Sequence, residues 1–156
     1  MFEKFSHLFN IENSPNKLLT NIKKIPLLIF LLSNLAYLPA MIKSKSIDLL
    51  IVVLVFFIST FYHTVQVFSR DDKSVSISTA CCGCMYLDMF IASVGSIIIL
   101  IKYRKNLNIK IIALLVMSLI IFASHWTKSF GHGYYYLYFH SLWHILTGVI
   151  AYLIIK

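Results

Sequence analysis

The chain has 156 residues, of which 59% are apolar and only 13% charged, with a mean hydropathy of +0.81. A soluble domain of this size buries about two-thirds of its unfolded surface and carries about 25% charged residues, so it could not hide this much apolar material from water. The formal charge of +8 comes from 14 Lys and Arg against 6 acids. The basic residues fall in the gaps between apolar runs, so they read as loop residues facing anionic lipid headgroups and not as a nucleic-acid-binding surface.

Taken in chain order, residues 1–24 form a polar N-terminal tail with a weak amphipathic pattern (Phe2, Phe5, Leu8, Phe9), compatible with an interfacial helix or a short mobile segment. The small-residue pattern of a cleavable signal peptide is spoiled by Tyr37. Residues 25–156 then read as a transmembrane helix bundle. Five apolar runs follow at 25–42, 47–68, 79–101, 109–126 and 135–155. The first is entered at Pro26, a residue tolerated in the first helical turn. A spanning helix needs about 20 apolar residues, so the second, third and fifth runs suffice, while the first and fourth must sit upright or thin the bilayer. The connections at 43–46, 69–78, 102–108 and 127–134 are short and polar. The fold class is therefore all-α, a polytopic transmembrane helix bundle of about five spans.

Trp126, Tyr134, Tyr135, Tyr136 and Tyr138 cluster where the fourth and fifth runs meet water, the pattern of an interfacial aromatic belt. Charge does not set the orientation. With the N-terminus outside, Lys43, Lys45, Lys102, Arg104, Lys105, Lys110 and Lys156 fall inside, and Lys4, Lys17, Lys23, Lys24, Arg70, Lys73 and Lys128 outside, seven on each side. Cys81, Cys82 and Cys84 offer apolar packing, an S-acylation site or a weak second metal site, with packing the plainest reading. Gly83, Ala92, Ser93, Gly95 and Ser96 are small enough to allow close helix contact.

Ionisable residues in lipid cost about 2.5–3.5 kcal/mol each on insertion scales, so the few present need a reason. Ser59 and His63 are one turn apart near the end of the second run, as are His140 and His144 near the start of the fifth, and Asp88 lies in the third. If the runs alternate in direction, the 69–78 and 127–134 loops share one side of the membrane. His63, Asp88, His140 and His144 then lie within roughly 7–15 Å of that surface, and Ser59 one turn deeper than His63. A single intramembrane histidine reads as a hydrogen-bonded packing residue. Three histidines and an aspartate at matched depth point instead to a tetrahedral zinc site with an open fourth position. Asp88 would accept a proton from water there, and Ser59 would donate to a developing oxyanion, or else bond its own helix backbone. His125 reads as a headgroup-level residue and His132 as part of a loop.

At these positions the sequence resembles a known family. Ser59-Thr-Phe-Tyr-His63, Leu87-Asp88-Met-Phe-Ile-Ala-Ser93 and Tyr136-Leu-Tyr-Phe-His140-Ser-Leu-Trp-His144-Ile look like the signature of the myomaker and transmembrane-protein-eight family. That family belongs to the CREST superfamily with alkaline ceramidases and adiponectin-type receptors. Leu35-Ala36-Tyr37-Leu38-Pro39 also resembles its first helix, so the likeness covers about residues 30–155. It implies a seven-helix bundle binding Zn2+ through His63, His140 and His144, with Ser59 and Asp88 beside the metal. It further implies an N-terminus outside or in a lumen, in the plasma membrane or an ER or Golgi membrane, with membrane lipids as partners. Two departures stand out. Thr64-Val65-Gln66 replaces the Ala-Cys-Asp that often follows the first Tyr-His, and only the 102–108 loop stands where the family carries two more helices. Losing a pair keeps the sidedness of the later helices and opens the bundle wall, which a homo-oligomer would close. Two functions fit this pattern: a zinc-dependent hydrolase of a lipid amide or ester, and a non-catalytic, myomaker-like remodelling or fusion protein with a structural or vestigial histidine site.

Overall fold

Inside a bilayer no water competes for backbone hydrogen bonds, so a chain this apolar must satisfy each N–H and C=O within its own helices. The computed structural model describes residues 15–72, 74–128 and 133–155, with side chains described for the same residues except 124–128. The expectations attached to residues 1–14, His125, Trp126 and His132 lie outside the described residues. Among the described residues the only regular secondary structure is helical, joined by short turns. The first span is built from α1 (Lys24–Leu32), a 3-10 stretch (Ser33–Tyr37) and α2 (Leu38–Lys43). Four single helices follow: α3 (Ser46–Phe68), α4 (Val75–Lys102), α5 (Ile109–Lys128) and α6 (Gly133–Ile154). The first span, α3, α4 and α6 are long and apolar enough to cross a membrane, and α5 contributes a shorter apolar stretch, Ile109–Ala123. Phe57, Phe61, Phe90 and Leu119 point outward, as lipid-facing side chains do. The chain is thus a membrane-spanning helical bundle.

Helix ends follow local chemistry. Ser74 caps α4, its Oγ accepting from the Ile77 N–H, and Asp72 Oδ1 accepts from the Ser74 N–H. That backbone hydrogen bond holds the exposed Asp72 carboxyl below its ordinary pKa. The cap starts α4 four residues earlier than the apolar pattern indicates and shortens the expected 69–78 loop. Asn108 caps α5 in the same way, Oδ1 accepting from the N–H groups of Lys110 and Ile111. The α4–α5 end of the bundle is tied by Lys102 Nζ, 2.7 and 2.8 Å from the two oxygens of buried Asp48. Lys43 Nζ and Asn106 Nδ2 donate to the carbonyls of Tyr152 and Ile154, two acceptors that the last turn of α6 leaves open.

The first span lies between α3 and α6, α4 packs on α3, and α5 packs on α6. Consecutive helices α4 and α5 make little contact, so the bundle is open along that side. An apolar cleft lies there, its lining including Ala92, Ser96, Leu115, Tyr37, Trp143 and Thr147. The segment 15–22 is not a loose tail. Pro15–Leu19 forms a 3-10 turn against α3, α4 and α6, with Leu19 and Ile22 joining a core of Leu27, Phe30, Val67, Tyr136 and Leu137.

Helices in lipid associate by close packing and not by expulsion of water. Gly148 on α6 lets the first span approach so closely that an added Cβ would lie 2.5 Å from the Ala36 carbonyl oxygen. Gly95 on α4 meets Ile51 and Val55 in the expected close contact, whereas a Cβ on Gly83 would touch nothing within 4 Å. Gly148→Ala should therefore lower stability by about 1–3 kcal/mol through overpacking against backbone that cannot yield. Gly83→Ala should be neutral or stabilising, since helix propensity favours Ala over Gly by about 1 kcal/mol. Unfolding of the two variants in matched detergent micelles checks the contrast.

Candidate metal centre

Helical periodicity decides which side chains meet. On α6, Tyr136, His140 and His144 recur every four residues and share one face with Gly148. On α3, Ser59 and His63 do the same, and Tyr62, His63 and Gln66 turn the last two turns of that helix inward. The result is a convergence of three ring nitrogens. His63 Nε2 lies 2.9 Å from His144 Nε2 and 3.1 Å from His140 Nε2. All three residues are buried, and one ligand atom from each lies within 4.8 Å of the others.

Both contacts meet at His63 Nε2, whose single lone pair could be shared by Nε2–H donors on His140 and His144 or taken up by a cation. A cation would give all three nitrogens one common partner. Tetrahedral coordination with metal–nitrogen distances of 2.0–2.1 Å separates ligand nitrogens by about 3.3 Å, close to the spacing seen. The group could therefore hold a metal ion, and the donor set of three imidazoles fits zinc and also other first-row metals.

Aromatic rings hold the trio in place. Phe30 stands edge-on to His63 at 4.4 Å and to His140 at 5.6 Å between ring centroids, and Tyr37 stands edge-on to His144 at 6.2 Å. Tyr62, Tyr136 and Trp143 pack on the rings of His63, His140 and His144 respectively. Tyr136 does not belong to the interfacial belt. It is buried, its hydroxyl donating to Gln66 Oε1 and lying 3.3 Å from the Tyr62 hydroxyl, because position 136 falls one turn before His140 on the inward face. Tyr134, Tyr135 and Tyr138 are exposed, as a belt requires.

Ser59 and Asp88 are both buried, and the Ser59 hydroxyl approaches the Asp88 carboxyl without a hydrogen bond of good geometry. Asp88 does not join the ligand group. Cys81 and Cys82 are buried and Cys84 is partly exposed; among the described residues none is in a disulfide or in a metal-holding group. Compared with family models, curated proteins and solved structures, the chain matches none.

Sequence inspection misses Gln66, the aromatic wall and Asn34. The wall has a visible signal, since Phe30 and Tyr37 are seven apart and fall on one helical face. Asn34 sits on that face between them, in the 3-10 stretch that bears on α6 and α3, with 1% exposure and neither side-chain atom hydrogen-bonded among the described residues. An unpartnered buried amide costs about 1–3 kcal/mol, so Asn34→Leu, similar in volume, should raise stability by an amount of that order while leaving metal content unchanged. Thermal unfolding with parallel metal analysis measures both.

Proposed function

We propose that the protein is a zinc-dependent hydrolase of a lipid amide or ester. The convergence of His140 Nε2 and His144 Nε2 on His63 Nε2, at 3.1 and 2.9 Å, carries this reading. Within lipid, three imidazoles collected from two helices can share one partner, and three-histidine sites with an open position serve hydrolytic chemistry. The resemblance of the Ser59–His63, Asp88 and His140–His144 motifs to the CREST pattern selects zinc among the metals that imidazoles accept. When bound, zinc supplies an acidified water and an electrophilic position for a carbonyl. Asp88, beside the ligand group and not in it, accepts and holds the proton that water gives up. The Ser59 hydroxyl donates a hydrogen bond toward the carbonyl oxygen as charge develops on it. Phe30, Tyr37 and Trp143 keep bulk water from the histidine side of the reacting group. The open cleft between α4 and α5 suits a substrate that arrives from the bilayer.

Protein purified gently without chelators should carry about one zinc per chain, lost in His63→Ala, His140→Ala or His144→Ala. Stoichiometry near zero in the unaltered chain would sink the metal reading.

Asp88 separates enzyme from scaffold. Asp88→Asn keeps size and removes basicity, so zinc should stay bound while lipid hydrolysis falls by roughly 10²–10⁴, the usual contribution of a positioned general base. Full biological activity in this variant, scored beside zinc occupancy, would favour the myomaker-like remodelling role in which the histidines are structural.

A further inference from the structure

Gln66 lies one turn beyond His63 on α3 and is fully buried. Its amide makes three side-chain contacts. Nε2 donates to the Pro15 carbonyl at 2.9 Å, while Oε1 lies 3.2 Å from His63 Nδ1 and accepts from the Tyr136 hydroxyl. A carbonyl oxygen only accepts, so the contact with Pro15 fixes which end of the amide is NH2. The other end is then an oxygen, and His63 Nδ1 must be the donor to it. A neutral imidazole holds one proton. With that proton on Nδ1, Nε2 presents a bare lone pair, and Nε2 is the atom that faces His140 and His144.

We propose that Gln66 is the positioning residue of the metal centre, holding His63 in the one neutral tautomer able to ligate, and that the segment Pro15–Ile22 sets Gln66. The segment is itself fastened to the end of α3: Asn16 Nδ2 donates to the carbonyls of Ser69 and Asp72, and Thr20 Oγ1 to that of Arg70. The chain of cause runs from a backbone carbonyl, through a neutral amide, to a ring proton, and ends at a ligand lone pair. A histidine's partner on its second nitrogen fixes both the tautomer and the ring orientation, and losing such a partner lowers metal affinity by about 10–100-fold. A neutral amide does this in lipid without adding a charge that would need its own counter-ion.

The consequence for affinity rests on the metal reading above, but the tautomer does not. The full-length protein, 15N-labelled at histidine and kept metal-free in micelles, should show His63 protonated at Nδ1 in one-bond and long-range 1H–15N correlations, with His63→Ala giving the assignment. Gln66→Met, equal in length and lacking the amide, should shift His63 toward the Nε2–H form and weaken zinc binding by about 10–100-fold. Gln66→Glu, which keeps an acceptor for Nδ1–H but loses the donor to Pro15, should restore the Nδ1–H tautomer. An Nε2-protonated His63 in the unaltered chain would overturn the proposal, and that spectrum needs no variant to fold. So would a Gln66→Met protein with unchanged tautomer and affinity. If the chain bound no zinc, the metal reading would fall, while the spectrum would still decide the role of Gln66.

Discussion

Three buried imidazoles whose ligand atoms lie within 4.8 Å of one another, at the heart of a bundle whose outer surface is apolar, are the constraint around which the rest of the structure is arranged. Buried polar groups are tolerated in lipid only when they find partners inside the protein. A neutral histidine offers one donor and one acceptor, and the three turn the same ring nitrogen toward one place, where they can hydrogen-bond through His63 Nε2 or share a cation. The fold meets the outer demand first. Gln66 serves the back of His63, and edge-on rings of Phe30 and Tyr37 hold the planes of all three. What remains is an inward group of three ring nitrogens that could hold a metal ion.

The break in the first span serves this arrangement. A 3-10 stretch winds tighter than an α-helix, with about three residues per turn, and so shifts the register between its two flanks. Phe30 before the break and Tyr37 at its end both reach the histidines, one beside His63 and His140 and the other beside His144. Gly148 makes this possible by letting the Ala36 backbone sit directly on α6. Tyr37 continues the link by hydrogen-bonding Thr147, one turn above Trp143, so the wall of the metal centre is also the inner wall of the apolar cleft.

The membrane-helix character and most of the spans are legible because apolar run length is a strong, local signal that needs no tertiary information. The candidate ligands are legible for a related reason: so few ionisable residues enter the runs that His63, Asp88, His140 and His144 stand out by their rarity. The segment 15–22 is not, because polar Asn16 and Thr20 look like tail until the carbonyls of Ser69, Arg70 and Asp72 are known to lie opposite them. Tyr136 misleads for a similar reason. Five aromatics near a loop suggest a belt, and only the four-residue spacing to His140 shows that one of them turns inward. Gln66 is visible as a departure from the family pattern, yet its meaning depends on a carbonyl 51 residues away.

The two sides of the centre differ in what they admit. Toward the α3–α4 loop, Pro15–Leu19 packs against α3, α4 and α6, and the Gln66 amide donates to the Pro15 carbonyl. Toward the bilayer, α4 and α5 stand apart, and the lining of the cleft between them includes Ala92, Leu115, Tyr37 and Trp143, the last two of which touch His144. A water-soluble substrate would have to displace the strap, breaking hydrogen bonds on which the His63 tautomer depends. A lipid would need only to slide its apolar chain along surfaces that hydrocarbon already wets, bringing a polar linkage to the end of the cleft. Under the proposed reading, selectivity for membrane-dissolved substrates thus follows from the same contacts that prepare the ligand. On that reading the opening between α4 and α5 would be where the substrate enters.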